Sequence, residues 1–483
     1  MPTSEEPVKE PTWMADIRFF FTPEDIDHMG EGGIDLATYE GVKTNAIRIF
    51  GATEPPDATM PPAPRDDWTQ ARWDTFKNWI VNGYPFGTAI PQPVPRVAAD
   101  ARRVRRDANT LDADSIKLLK TAFEGIMGLP VDDPKSYFTQ AGLHWWPPPT
   151  YCLHHENRYN PWHRTYLHSF EDALRSIPGC ADVTLPYWDI TSPIPDFLYQ
   201  PPFDKYTLPR SIGRGFDAGY VTSRFTASEV MNNVVDLGIP GQITDALTRS
   251  VWSQFNNGII GAHDNGHVAT GETLRQQEVA AYDPIFWFFH ANWDRLWWKW
   301  QQTLGATTLN GFLSTVMGST DWLRIPPFNE LPPFSETADQ PIDLRVRGID
   351  YEHPEAETIP DFLSQAFGSV PVEALRRVHS ARKVGVRVKG IDRLNIPGSF
   401  KVHLQADSAT IASQGFFQAR DPQTCHACVE QGKVDIDLRV DIDQLRGAPL
   451  SVVIEPMWPG AIGTTFPLSS AGDPTINMRL LLE

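Results

Sequence analysis

The chain has 483 residues, a formal net charge of −18 and an apolar fraction of 41%, with 16 tryptophans and 26 phenylalanines. That length can bury a large core and suggests two or three domains. So acidic a surface has little with which to displace counterions from phosphate, so nucleic acid is not an expected partner.

In chain order, the N-terminal MPTSEEPVKEPTW is acidic and Pro-rich with no apolar core, so no secretory leader is expected. Residues 1–105 read as an N-terminal extension of helix and loop. DDWTQARWDTFKNWI predicts a helix opening at Asp66 with Trp73, Phe76 and Ile80 on one face, bounded by PPDATMPPAPR and YPFGTAIPQPVP. Residues 106–345 carry helical signals. DADSIKLLKTAFEGIMGLP is punctuated at both ends, and NPWHRTYLHSFEDALRSIPG has Pro161 in its first turn and Gly179 past its end. DPIFWFFHANWDRLWWKWQQTLG is apolar nearly all round, which predicts a buried helix. Charges interrupt even this stretch, so no membrane span is expected.

After residue 345 the period changes from 3.6 to 2. KVGVRV, SFKVHLQA, KVDIDLRVDI and LSVVIEP alternate apolar and polar residues, predicting an antiparallel sandwich or barrel over 346–483. The four cysteines are too few for a disulfide framework at this length, and the expected compartment is the cytoplasm. Cys425 and Cys428, spaced CHAC, suit soft-metal or redox chemistry.

The histidines fall into two groups about a hundred residues apart. AGLHWW and YCLHHENRYNPWHR supply His144, His154, His155 and His163; HDNGH supplies His263 and His267, with His290 in FFHANWDR. His263 and His267 are four apart, which on a helix is one face, so both can reach a single ion. Two such groups on separate helices suit two metals facing each other across a helix bundle. Histidine ligation without a carboxylate favours copper or zinc over magnesium, manganese or calcium, and the donor set leaves those two open.

The run CLH, then HRTYL, FEDALR and LPYWD, followed by HDNGH and DPIFWFFHANWDRLW, resembles the type-3 copper family of tyrosinases, catechol oxidases and haemocyanins over residues 140–305. The resemblance implies a mainly α chain, with a four-helix-bundle dicopper core and a C-terminal antiparallel β-sandwich covering the active site. It implies two copper ions, with His144, His154 and His163 on the first and His263, His267 and His290 on the second. His155 and His168 match no ligand position. Cys152, two before His154, matches a cysteine joined to the ligand ring by a thioether in some members. Arg164 and Glu171 are expected to tie helices together as an ion pair.

Two positions depart from the family pattern. Asp264 stands where many hydroxylating members have Asn, and no Glu or Asp occurs between 251 and 262, so Asp264 is the expected acceptor of the phenol proton. Phe289 stands where a histidine is common. For the tail, GFFQARDPQTCHAC resembles a covering domain in which Phe416 or Phe417 plugs the substrate pocket and Cys425 and Cys428 deliver copper. The implied activity is oxidation of phenols and catechols by O2, tyrosinase before catechol oxidase. A haemocyanin-like oxygen carrier is the alternative class, and a di-zinc hydrolase comes third. The sequence leaves homo-oligomerisation open.

Overall fold

The computed structural model describes all residues except 1–6, 14–15, 22–24, 26–28, 30–33, 37–38, 56–57, 61–67, 87–102, 146–151, 153, 317–320, 324–328, 353–382, 425–427, 430, 446–448 and 481–483. The chain divides into two compact units. One is Met1–Arg96 with Ser319–Gln340, and the other is Val97–Gly318 with Pro341–Glu483. Residues 319–340 belong to the N-terminal unit, and the β-rich tail shares one unit with the helical core. No helix among the described residues is long and apolar enough to cross a membrane.

The N-terminal unit contains α1 (Tyr39–Ala52) and α2 (Gln70–Val81) around an aromatic core that includes Trp13, Phe21, Trp68, Phe76 and Trp79. Helix α2 opens at Thr69, whose side chain accepts from the Arg72 N–H, rather than at Asp66, which lies outside the described residues. Its buried face is Thr75, Phe76 and Trp79; Trp73 is only partly buried and stacks on Phe50 at 4.2 Å.

In the larger unit, α3 (Ala113–Met127) is capped by Asp112, which accepts from the Ser115 N–H, and stops at Gly128. Then follow α4 (Tyr137–Gly142), α5 (Tyr159–Arg175), α6 (Ala227–Asp236), α7 (Ile239–Leu247), α8 (Trp252–Thr270), α9 (Ile285–Thr303) and α10 (Leu309–Thr315). Helices α3, α5, α8 and α9 form the bundle, and stacked aromatics knit it. Phe170 of α5 lies on Trp287 of α9 at 3.5 Å, Phe255 of α8 on Trp300 of α9 at 4.1 Å, and Phe123 of α3 on Phe288 at 5.9 Å. Nearly every side chain of α9 is buried, because neighbours surround it on all sides.

A buried ion network crosses the bundle. Asp294 accepts from Arg164 Nε at 2.5 Å, Arg105 Nη1 at 3.2 Å and the Tyr351 hydroxyl at 2.7 Å, while Arg105 Nη2 also reaches Glu171 at 3.2 Å. Arg164 and Glu171 therefore do not pair with each other. On one helix at a spacing of seven they cannot meet, and each takes a partner from another element. Arg105 comes from β1 (Arg103–Arg105), which pairs in parallel with β2 (Ile349–Tyr351) and so brings Tyr351 into the network.

The tail folds as two three-stranded antiparallel sheets, β6-β3-β8 and β5-β4-β7. The strands are β3 (Lys383–Asp392), β4 (Phe400–Ala406), β5 (Ala409–Phe416), β6 (Lys433–Asp441), β7 (Leu450–Pro456) and β8 (Thr475–Leu480). Strand β4 alternates buried and half-buried residues along its whole length. Inward residues of both sheets, among them Val386, Phe400, Val402, Leu438 and Ile454, share one core, which makes the pair a sandwich. The four alternating runs read from sequence are β3, β4, β6 and β7. Strand β5 (ATIASQGF) lacks that alternation and is the one that packs on α8, whereas β8 (TINMRL) alternates as well.

Candidate metal centre

Helix α5 carries His163, α8 carries His263 and His267 one turn apart, α9 carries His290, and the segments before α5 supply His144 and His154. The bundle gathers the potential donor atoms of His144, Cys152, His154 and His163 within 4.8 Å of one another, and likewise those of His263, His267 and His290. The two groups touch: His163 and His290 stack with centroids 4.6 Å apart and planes 5° from parallel. Nε2 of His263 lies 2.9 Å from Nε2 of His267, near the ~3.3 Å expected of two nitrogens ~2.0 Å from one tetrahedral ion.

The ring orientations are set by the atoms behind them. Nδ1–H of His163 donates to the Tyr159 carbonyl at 2.8 Å and that of His267 to the Leu274 carbonyl at 2.6 Å; Nδ1 of His263 lies 3.0 Å from Asp264 Oδ1. These contacts fix the tautomer and leave Nε2 as the lone-pair nitrogen. Burial holds all six imidazoles far below the ordinary histidine range, His163 to about 4 and His267 to about 3. At neutral pH they are uncharged bases, the form that binds metal. His290 leaves both ring nitrogens without a protein partner. So does His144, although the main chain of Gln277 lies close enough to counter a little of its burial. Six neutral imidazoles, with unpartnered nitrogens in both groups, fit a pair of soft-to-borderline ions.

Cys152 is buried, and its Sγ lies 3.4 Å from both nitrogens of the His154 ring. Burial pushes its thiol pKa well up. Asp264 is 2% exposed. Besides His263 it meets His155 Nε2 at 2.7 Å, and its Oδ2 accepts the Phe417 N–H at 3.0 Å. His155, which matches no ligand position, thus has a definite partner. Phe289 is fully buried, 4.8 Å from the His267 ring, and packs where Gly266 leaves room: a Cβ there would lie 2.7 Å from its ring.

The tail reaches both histidine groups. Phe417 stacks on His267 at 3.8 Å and 8°, and its ring also lies 5.0 Å from His154 and 6.0 Å from His263. Phe416 points elsewhere, stacked on His155 at 4.2 Å and on Phe400 at 5.1 Å. Asn265 accepts the Gly415 N–H at 2.6 Å, Gln414 Nε2 donates to the Gly261 carbonyl at 2.8 Å, and Glu278 accepts the Arg420 N–H at 2.7 Å. Cys428 is buried beside Trp145 and Ala419 and is disulfide-bonded; Cys425 lies outside the described residues. A thiolate ligand at Cys428 would first require reduction of that bond.

Sequence reasoning missed Gln277, whose side-chain amide lies 2.7 Å from Nδ1 of His154 across 123 positions of chain. It also missed the docking residues Asn265 and Gln414. A lone glutamine in a loop carries no spacing signal.

The profile of the common central domain of tyrosinase matches residues 134–213 and 196–303. The chain is 31% identical over 202 residues to hemocyanin A-type, units Ode to Odg, of Enteroctopus dofleini, a stretch that is 38% of this chain and 16% of that one. It is 28% identical over 302 residues to a tyrosinase of Hahella sp. (strain CCB-MM4), 51% of this chain and 61% of that one. Both matches thus span less than two thirds of the relative's own length. The fold is similar to a tyrosinase from Burkholderia thailandensis solved at high pH, with TM-score 0.56 and 20% identity, covering 78% of this chain and 100% of that one. Residues 134–303 are thus similar to the common central domain of tyrosinase, and their histidine clusters suit a dinuclear copper site, which supports assignment to the type-3 copper family of tyrosinases and polyphenol oxidases.

Proposed function

We propose that the protein is a phenol-oxidising enzyme, a tyrosinase in the first instance, held latent by its own tail. His144, His154 and His163 would hold one copper ion and His263, His267 and His290 the other. Such a copper pair supplies O2 activation, from which both hydroxylation of a monophenol and two-electron oxidation of a catechol to an o-quinone follow. The observation that carries the reading is the Phe417 ring, stacked on His267 and edge-on to His154 and His263, where an aromatic substrate would have to lie.

The protein residues have separable parts. The bundle holds the imidazoles neutral and oriented, and Phe289 and the surrounding aromatics exclude water. Asp264 is the proposed acceptor of the phenol proton. In the closed state Oδ2 is occupied by His155 and the Phe417 N–H, so departure of the tail would free an acceptor position beside the histidines. Cys152, with its Sγ 3.4 Å from both His154 ring nitrogens, is the proposed thioether partner of that ring, and Cys425 with Cys428 is the proposed copper-delivery pair in its reduced form.

The test is the ratio of monophenol to diphenol oxidation by copper-loaded protein before and after cleavage between β2, which ends at Tyr351, and β3, which starts at Lys383. Quinone formation that rises severalfold on cleavage supports a latent enzyme. The haemocyanin matches favour a second reading, an oxygen carrier. Reversible O2 binding with no quinone from a simple catechol, cleaved or intact, would establish that one and overturn the first.

A further inference from the structure

The geometry points to Gln277 as a positioning residue that decides which ring nitrogen of His154 carries the proton. The inference rests on the metal-centre reading above. Three of the imidazoles have their Nδ1 facing an oxygen, the Tyr159 and Leu274 carbonyls and the Asp264 carboxylate, each an acceptor in every state. His154 differs. Its Nδ1 faces the side-chain amide of Gln277 at 2.7 Å, with the –NH2 end toward the ring.

An amide offers either a donor or an acceptor, depending on which way it is turned. With the –NH2 end toward Nδ1, the His154 proton sits on Nε2, which then has no lone pair for a metal. With the carbonyl end toward Nδ1, that nitrogen donates and Nε2 becomes a ligand like those of His163 and His267. Gln277 thus serves the metal-free ring in one orientation and the metal-bound ring in the other.

The residue is built to do this. It is 3% exposed, and its neighbours in the loop are anchored on both sides. The Leu274 carbonyl takes the His267 proton, the Arg275 carbonyl accepts from the Ser399 hydroxyl at 2.7 Å, and Glu278 holds the Arg420 N–H. The loop therefore fixes one imidazole of each cluster while the tail braces it, and the backbone at 277 stays in place whichever end of the amide faces the ring.

The test compares full-length wild type, Gln277→Leu and Gln277→Glu by competition for Cu(I) against a chromogenic chelator, with copper per chain counted. Wild type should bind two coppers. Gln277→Leu should weaken one site about 10- to 100-fold and leave the other unchanged. Gln277→Glu, which keeps an acceptor as Asp264 does for His263, should recover to within a few fold of wild type. Nitrogen NMR of the metal-free proteins should find the His154 proton on Nε2 in wild type and on Nδ1 in Gln277→Glu. Should the Leu variant not fold, Gln277→Met takes its place with the same expectation. Wild-type affinity at both sites without the amide, or a Glu variant as weak as the Leu variant, overturns the inference alone. Wild type that takes up fewer than two coppers overturns the metal-centre reading and the inference with it.

Discussion

Phe417→Ala should convert the full-length protein from a latent to an active form. The ring is fully buried and gains that burial only when the tail is docked, so its loss falls on the docking equilibrium. Transferring a phenylalanine side chain out of water contributes about 1.5–3 kcal/mol, which corresponds to roughly a 10- to 150-fold shift toward the undocked state. The bonds from Gly415 to Asn265, from Gln414 to Gly261 and from Arg420 to Glu278 remain. Much of the tail therefore stays in place, and the vacated volume over His267 opens a pocket as well. The assay is the initial rate of quinone formation from a simple catechol by copper-loaded, uncleaved protein, with copper per chain measured on the same sample. Phe416→Ala is the control: its ring packs on His155 and inside the sandwich core, so it should lower the unfolding temperature with a smaller gain in rate. An unchanged rate in Phe417→Ala at equal copper content would refute the plug.

Asp264→Asn keeps the size and removes the charge. Monophenol turnover should fall more than diphenol turnover if the carboxylate takes the phenol proton, and equal losses would assign it to orienting His263 alone. Asp294→Asn removes the charge between Arg164 and Arg105, two buried guanidiniums. It should cost about 3–5 kcal/mol, read as a lower unfolding temperature by calorimetry. The metal-free protein should lose stability as pH falls. The folded-state values of His163 and His267 lie near 4 and 3 against 6.5, so below 6.5 the unfolded chain binds protons that the folded chain refuses. That stability is complete above 6.5 and drains as pH drops toward 4, at about 2 kcal/mol per such histidine between pH 7 and 5. Buried Glu278 and Asp283, whose carboxyl pKa values burial raises, act in the opposite sense but are fewer. Urea midpoints at pH 7, 6 and 5 check this, and a flat series would contradict it.

The two histidine groups, the helices that carry them and the four alternating strands were legible in the sequence, because each depends on local spacing. Residues four apart share a helix face, a period of two defines a half-buried strand, and Asp112 and Gly128 bound α3 by capping. The metal-binding pattern was legible for a related reason: imidazoles must cluster to ligate, and four of the six sit on helices, with His144 and His154 in the segments before α5.

Contacts between distant segments were settled only by the tertiary structure. Arg164 and Glu171 share α5 yet pair with Asp294 and Arg105 from other elements, since side chains seven apart on a helix do not meet. Phe416 and Phe417 are adjacent and chemically alike. Successive residues at the end of a strand point to opposite faces, so one enters the sandwich core and stacks on His155 while the other lies over the histidines. Gln277 has no local signature, and the loop that carries it places its amide against His154 only when α8, the tail and the segment before α5 converge. The sequence determined which residues can bind a metal, because ligation needs particular side chains at particular spacings. The fold decided which of their neighbours orient, cover and protonate them, because those relations depend on packing between segments that no spacing records.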